Sequence, residues 1–329
     1  VLETLPASGQ SGRVRQAFIL GAGLGTRLRP ITDRLPKPLV PLFHRPLVDW
    51  ILRACRAAGI GRFAINTHHL PEAWAAFGQP SDDAPGVCGL NGLASRRRLW
   101  NGCPVDLFHE PVLLETGGGL KNIEPWVADE PLLVHNGDLF SSLPLGKLIA
   151  AHEFSGLPVT LALRSEGEQK RVAVNPGATR VTDLRGILGR GPGTHVFTGI
   201  YCIEPGFFTM LRSNEAVQVV PALVELAKQE RLGAVVLDEG DWLDLGDRES
   251  YLAAHRSLAL TEAVDASAKV GRGAVVEWSS IGPGAVIGAG AVVRNSVVWP
   301  GGRVADGADL ENCIVFSGSA AGRHRDADL

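Results

Sequence analysis

Residues 17–42 read AFILGAGLGTRLRPITDRLPKPLVPL, and the order of residue types in this stretch sets the class of fold. The apolar run 17–20 has the length and composition of a buried strand, and it breaks at alternating glycines 21, 23 and 25. Working outward, PLVDWILRACRAAGI (46–60) repeats apolar residues at helical spacing, with Gly59 as its stop. RFAIN (62–66) is a second strand, and PEAWAAF (71–77) a second helix with Pro71 at its start. PVDLFHE (104–110) is another strand. PLLVHNGD (131–138) is a buried strand that breaks at Asn136-Gly137-Asp138. LGKLIAAHEFSG (145–156) is helical and leads into a strand, PVTLALR (158–164). This alternation runs from Val14 to about Leu260 and predicts an α/β domain: a mostly parallel, Rossmann-like sheet with helices on both faces. Active sites in such folds lie at the carboxyl ends of the strands. Residues 81–103 and 165–195 are polar and irregular, and are expected as loops bordering a cleft.

Beyond Leu260 the texture changes. Val264, Val270, Val276, Ile281, Ile287, Val293, Val298, Val304, Leu310 and Val315 recur in steps of six, six and five, a circuit of 17 residues. A helix of 3.6 residues per turn does not produce that spacing. A triangular coil with three short strands per turn and inward aliphatics does. Glycines between these positions fit its tight corners. Residues 261–329 are therefore expected to form a short left-handed parallel β-helix of hexapeptide repeats. Its open ends need covering, which predicts a homo-oligomer or packing on the preceding domain. Residues 1–13 lack the basic start and apolar centre of a signal peptide and read as a flexible leader.

Composition removes several function classes. The 329 residues are 45% hydrophobic and 20% charged, with a formal net charge of −3. That balance gives no bulk attraction for nucleic acid or an anionic membrane, so any phosphate site is built locally. Cys55, Cys88, Cys103, Cys202 and Cys313 form no C-x-x-C pair, which argues against a disulfide framework or structural zinc and for a cytoplasmic location. No apolar run reaches the length of a membrane span.

The chemistry concentrates after the first strand. Alternate glycines let backbone N–H groups approach an anion, Arg27 can fork onto phosphate oxygens, and Lys37 stands stiffly between Pro36 and Pro38. These parts suit stabilisation of a phosphoryl-transfer transition state. A dinucleotide fingerprint needs a third glycine where Thr26 stands, and a Walker loop needs G-K-[ST], which is missing. No Ser/His/Asp or Cys/His constellation stands out. The adjacent His68 and His69 do not share one face and read as structural.

Gly23 to Leu39 resembles, at every fixed position, the sugar nucleotide pyrophosphorylase signature G-x-G-T-R-L-x-P-x-T-x-x-x-P-K-P-L. HEPVLLETGGGLKNI, LLVHNGDLF, FTGIYCIEP and WLDLGDRESYLAAH resemble later blocks of that family, in order. The resemblance implies a sugar-1-phosphate nucleotidylyltransferase that uses Mg²⁺, a nucleoside triphosphate and a sugar 1-phosphate. It implies nucleotide binding by Gly21, Ala22, Gly23, Gly25, Thr26, Glu110, Thr116 and Gly117. Arg27 and Lys37 match the catalytic cations. Glu115, Gly118, Thr198, Gly199 and Tyr201 match the sugar side, and Asp138 and Asp244 the metal ligands, with Asp244 preferred over Asp241. An E-K-P triplet common in relatives is missing, and Arg185 or Arg190 is the candidate substitute for its lysine. The E-T-G-G-G block resembles the N-acetylmuramate-1-phosphate uridylyltransferase branch. The β-helical tail resembles mannose-1-phosphate guanylyltransferases. Two alternatives are a catalytically inactive regulatory subunit and a bifunctional enzyme whose β-helix also acetylates, which needs a catalytic histidine within the stack. There is none between Val264 and Gly322.

Overall fold

The computed structural model describes residues 14–81, 86–213, 215–258, 260 and 262–329. The leader 1–13 and Thr261, where the β-helical tail was expected to start, lie outside them. A nine-stranded sheet has the order Leu232–Val236, Val159–Arg164, Val196–Ile203, Leu132–Asn136, Gln16–Leu20, Arg62–Thr67, Cys103–His109, Arg96–Trp100 and Gln79–Pro80. Its centre is parallel: Gln16–Leu20 pairs in parallel with both Arg62–Thr67 and Leu132–Asn136. Val196–Ile203 and Arg96–Trp100 run against the others. The central strands are apolar on both faces. Ala17, Ile19, Phe63 and Ile65 enter one core, while Phe18 and Ala64 enter the other. Helix Leu47–Ala57 covers the first core with Leu47, Val48, Ile51, Leu52 and Cys55, all buried. The chain leaves the central strand on one side, winds to Cys103–His109, then crosses back to Leu132–Asn136 on the other side. The crevice at that reversal opens beside the carboxyl ends of three strands.

Three local expectations are corrected. Residues 71–76 form a 3₁₀ helix and not an α-helix. Residues 81–103 are no simple loop: Arg96–Trp100 pairs antiparallel with Cys103–His109 and widens the sheet. Within it Arg97 meets the fully buried Asp106 at 2.9 Å, and Arg98 donates to the carbonyls of Ala75, Phe77 and Gly78. Residues 165–195 likewise contain a ribbon, Val172–Val174 against Val181–Leu184.

The tail forms a three-sided parallel β-helix of the left-handed kind. Val270 stacks on Ile287 and Ile287 on Val304. Val276, Val293 and Leu310 stack likewise, as do Ile281, Val298 and Val315. A further, shortened turn follows the 17-residue circuits, pairing Val304 with Ala320 and Leu310 with His324. Val270 departs from the inward expectation. It is 46% exposed, because its strand has a neighbour on one side only. One side of the prism rests on the first domain, where Val297, Trp299 and Ile314 join Leu28, Ile31, Val40, Tyr251 and Leu252 in one apolar cluster.

Candidate functional site

A cavity of about 290 Å³ opens at the crevice, lined by Gly21, Ala22, Gly23, Gly25, Thr26 and Arg27 from the glycine turn. Lys37, Glu115, Thr116 and Asp138 also line it. Gly25 has a positive φ of 63°, the left-handed conformation that ends the turn and starts the 3₁₀ helix Thr26–Leu28. Thr32 Oγ1 donates to the Gly25 carbonyl at 2.8 Å, and His69 Nε2 lies 2.6 Å from the Thr32 carbonyl. His68 Nδ1 lies 2.7 Å from the Glu110 carbonyl. Both histidines thus hold the loops together.

The charged groups converge. Lys37 is 6% exposed, and its Nζ lies 3.0 Å from Asp138 Oδ2 and 3.7 Å from Asp244 Oδ1. Arg27 Nη2 lies 3.8 Å from Asp244 Oδ2. Strand pairing explains the meeting of residues a hundred positions apart: Trp242–Asp244 runs antiparallel to Leu139–Ser141, which sets Asp244 opposite Leu139 and beside Asp138. Asp241 contacts Ser142 instead. Asp247 caps helix Arg248–Ser257, and the bonds from Ser250, helped by Arg27, hold its carboxyl below the usual range. Two hard carboxylates, each about half exposed, suit a divalent ion that takes its other ligands from phosphates and water. Among the described residues no group of three or more His, Cys, Asp or Glu forms a cage.

Several expected residues do not line the cavity. Glu110 is fully buried. It accepts from Asn66 Nδ2 at 2.8 Å and from the Leu114 N–H at 3.0 Å, and burial raises its pKa. Asn66 in turn accepts the Gly21 N–H at 2.7 Å, so Glu110 acts on the glycine turn through Asn66 and is not aimed at a base. The 115–119 block starts helix Glu115–Asn122. Its glycines admit protein: Gly117 and Gly118 donate to the Val217 carbonyl, and Cβ atoms there would meet backbone of residues 215–218. Thr198 is buried and donates to the Ala162 carbonyl, and Tyr201 lies in the core. Gly199 abuts Asn136, where a Cβ would lie 2.6 Å from Nδ2. Arg190 caps helix Val220–Lys228 through the Ala227 and Lys228 carbonyls, which leaves it no role at the cavity.

Asn66, Asn136, Leu113 and Gly246 line the cavity without having been singled out for the site. Asn66 and Asn136 fall at or next to the ends of parallel strands, the signal by which they were open to discovery. Gly246 makes room for an arginine: a Cβ there would lie 2.5 Å from Arg27 Nη2.

A glycine turn, two cations and two carboxylates at the switch point of a doubly wound sheet define a nucleotidyl-transfer type of site. The chain belongs to the nucleotidyl transferase family, whose model matches residues 16–260. It is 27% identical over 278 residues to a mannose-1-phosphate guanylyltransferase of Mycobacterium tuberculosis, covering 82% of this chain and 72% of that one. It is 28% identical to the N-acetylmuramate alpha-1-phosphate uridylyltransferase of Neisseria meningitidis, over 70% of this chain and 93% of the relative. It is also 26% identical to a probable mannose-1-phosphate guanylyltransferase of Arabidopsis thaliana and spans 64% of that relative's length. A UDP-glucose pyrophosphorylase from Acinetobacter baumannii shares the fold, with a TM-score of 0.61 at 17% identity over 76% of this chain and 95% of that one.

Proposed function

We propose that this chain transfers a nucleoside monophosphate from a nucleoside triphosphate to a sugar 1-phosphate, releasing pyrophosphate. The observation that carries the reading is the convergence of Arg27, Lys37, Asp138 and Asp244 beside the glycine turn. The sugar phosphate oxygen is already anionic at neutral pH, so it attacks the α-phosphorus in line without a general base or a covalent intermediate. Arg27 and Lys37 balance the charge that develops on the phosphoryl oxygens. Asp138 and Asp244 are the ligands for Mg²⁺, which supplies charge neutralisation to the phosphates when bound. Residues 21–26 with Thr116 carry the nucleotide, and Glu115 faces the sugar side.

The catalytic unit is assigned to residues 14–260 and the β-helix to 261–329. Five free cysteines support a cytoplasmic location. The partly exposed first turn, with Val270 and the 78% exposed Trp278, supports a homo-oligomer through the β-helix, checked by light scattering on the Trp278→Ser variant. The relatives' names divide between uridylyl and guanylyl transfer. The decisive experiment is a matrix of nucleoside triphosphates against glucose, mannose and N-acetylmuramate 1-phosphates, scored by pyrophosphate release. UTP or GTP with one sugar phosphate is expected to turn over, and silence across the matrix would defeat the proposal.

A further inference from the structure

We propose that the β-helix is a working part of the phosphoryl-transfer site: Trp299, through Tyr251 and the apolar underside of residues 28–40, positions Arg27 and Lys37. This inference rests on the function proposed above. Arg27 and Lys37 stand near the two ends of one short segment. Leu28, Ile31 and Val40 of that segment are each at most 3% exposed, and they are buried against Val297, Trp299 and Ile314 of the β-helix. Arg34 also lies over the Phe316 ring, 5.5 Å from its centroid.

A polar chain runs through the same contact. Trp299 Nε1–H donates to Tyr251 Oη at 3.0 Å, and Tyr251 Oη–H donates to the Pro41 carbonyl at 2.5 Å. Tyr251 sits on the helix capped by Asp247, one residue after the Gly246 against which the Arg27 guanidinium lies. The wall behind Leu28, Ile31 and Val40 is therefore β-helix and helix Arg248–Ser257, while Leu39 of the same segment packs into the core on the sheet. The segment's own backbone bonds are local: Leu28 N–H to Gly25, Arg29 to Thr26, Asp33 to Pro30, Arg34 and Leu35 to Ile31, Leu39 to Pro36 and Val40 to Lys37; from outside, His69 meets the Thr32 carbonyl. Side chains that must meet a phosphoryl group within a fraction of an ångström need outside support of this kind. Trp299 touches no reacting atom in this scheme. It is a positioning residue.

The test uses the full chain with Trp299→Ala, Trp299→Phe and Tyr251→Phe. Hydrogen exchange reads the support directly. In Trp299→Ala the amides of Leu28, Asp33, Arg34, Leu35 and Val40 are expected to lose about tenfold or more of their protection, while those of 132–136 keep theirs. In the same variant kcat for pyrophosphate release is expected to fall about tenfold with KM for the nucleotide nearly unchanged. Trp299→Phe, which keeps an aromatic body, is expected to recover most of both. Combining Trp299→Ala with Arg27→Ala is expected to cost less than the sum of the two. Unchanged protection in Trp299→Ala overturns the proposal, as does lost protection with kcat intact. If Trp299→Ala does not fold, Tyr251→Phe removes a single hydroxyl and decides on the same two readouts. Wild-type turnover is scored separately. Its absence would defeat the proposed function, and the exchange result would still decide whether Trp299 holds the segment.

Discussion

Replacing Lys37 by alanine removes a cation that two carboxylates share. A cation 3 Å from an anionic oxygen gains about 5 kcal/mol at an effective dielectric constant of about 20. Lys37 already makes contacts at 3.0 and 3.7 Å with Asp138 and Asp244, so only the surplus separates ground state from transition state. Loss of one preorganised donor from a transition state costs about 3 kcal/mol, so turnover is expected to fall by about a hundredfold. Lys37→Met, which keeps the buried stem, is expected to lose the same amount, so packing is not the cause. The effect on metal binding has the opposite sign. Asp138 and Asp244 no longer have Lys37 between them, so Mn²⁺ used as a probe is expected to bind the variant at least as tightly as the wild type. Pyrophosphate release gives the first quantity and titration calorimetry the second. A variant within tenfold of wild-type turnover, or one that loses the metal together with the activity, would refute the assignment.

Asp138→Asn is expected to lower turnover by about a hundredfold with an unchanged melting temperature, measured side by side with wild type. Asn66→Ala strands both the buried Gly21 N–H and one oxygen of Glu110, and is expected to cost about 2–4 kcal/mol in urea unfolding. Gly246→Ala pushes on the Arg27 guanidinium without left-handed strain. It is expected to lower kcat about tenfold while leaving the melting curve in place. Burial lowers the pKa of His135 to about 4 and that of His255 to about 3, from the usual 6.5. A lowered base contributes stability that is present above pH 6.5 and is lost as pH falls towards the folded value. Unfolding at pH 5 is therefore expected to be easier than at pH 7 by about 2 kcal/mol per histidine, and His255→Gln to flatten the dependence. A flat profile in the wild type would contradict it.

Much of this was legible because it depends on short-range pattern. Apolar runs named the central strands, and the 17-residue recurrence named the prism. Resemblance to family blocks singled out Asp138 and Asp244, but only strand pairing across a hundred residues shows why they meet. What escaped depends on tertiary partners. RRRLW falls in a stretch that reads as a loop, but Arg97 pairs with Asp106 and Arg98 donates to three carbonyls. Three consecutive glycines argue against a helix, yet they lie in helix Glu115–Asn122, where a side chain at Gly117 or Gly118 would collide with backbone of residues 215–218 and one at Gly119 with Asn66 and Glu110. Glu110 lies in a block that matches the family's base-lining stretch, but Asn66 turns it into a brace.

Arg27, Lys37, Asp138 and Asp244 interleave two positive and two negative charges over a few ångströms, and Glu115 on the cavity wall adds a third negative charge. Such an arrangement exerts little pull beyond its own diameter on a lone polyanion. It greets a nucleotide that carries its own dication with less rearrangement, since each incoming charge exchanges one partner for another of the same sign. Arrival and departure then become partner swaps, and the site needs no excess positive field to hold so acidic a ligand.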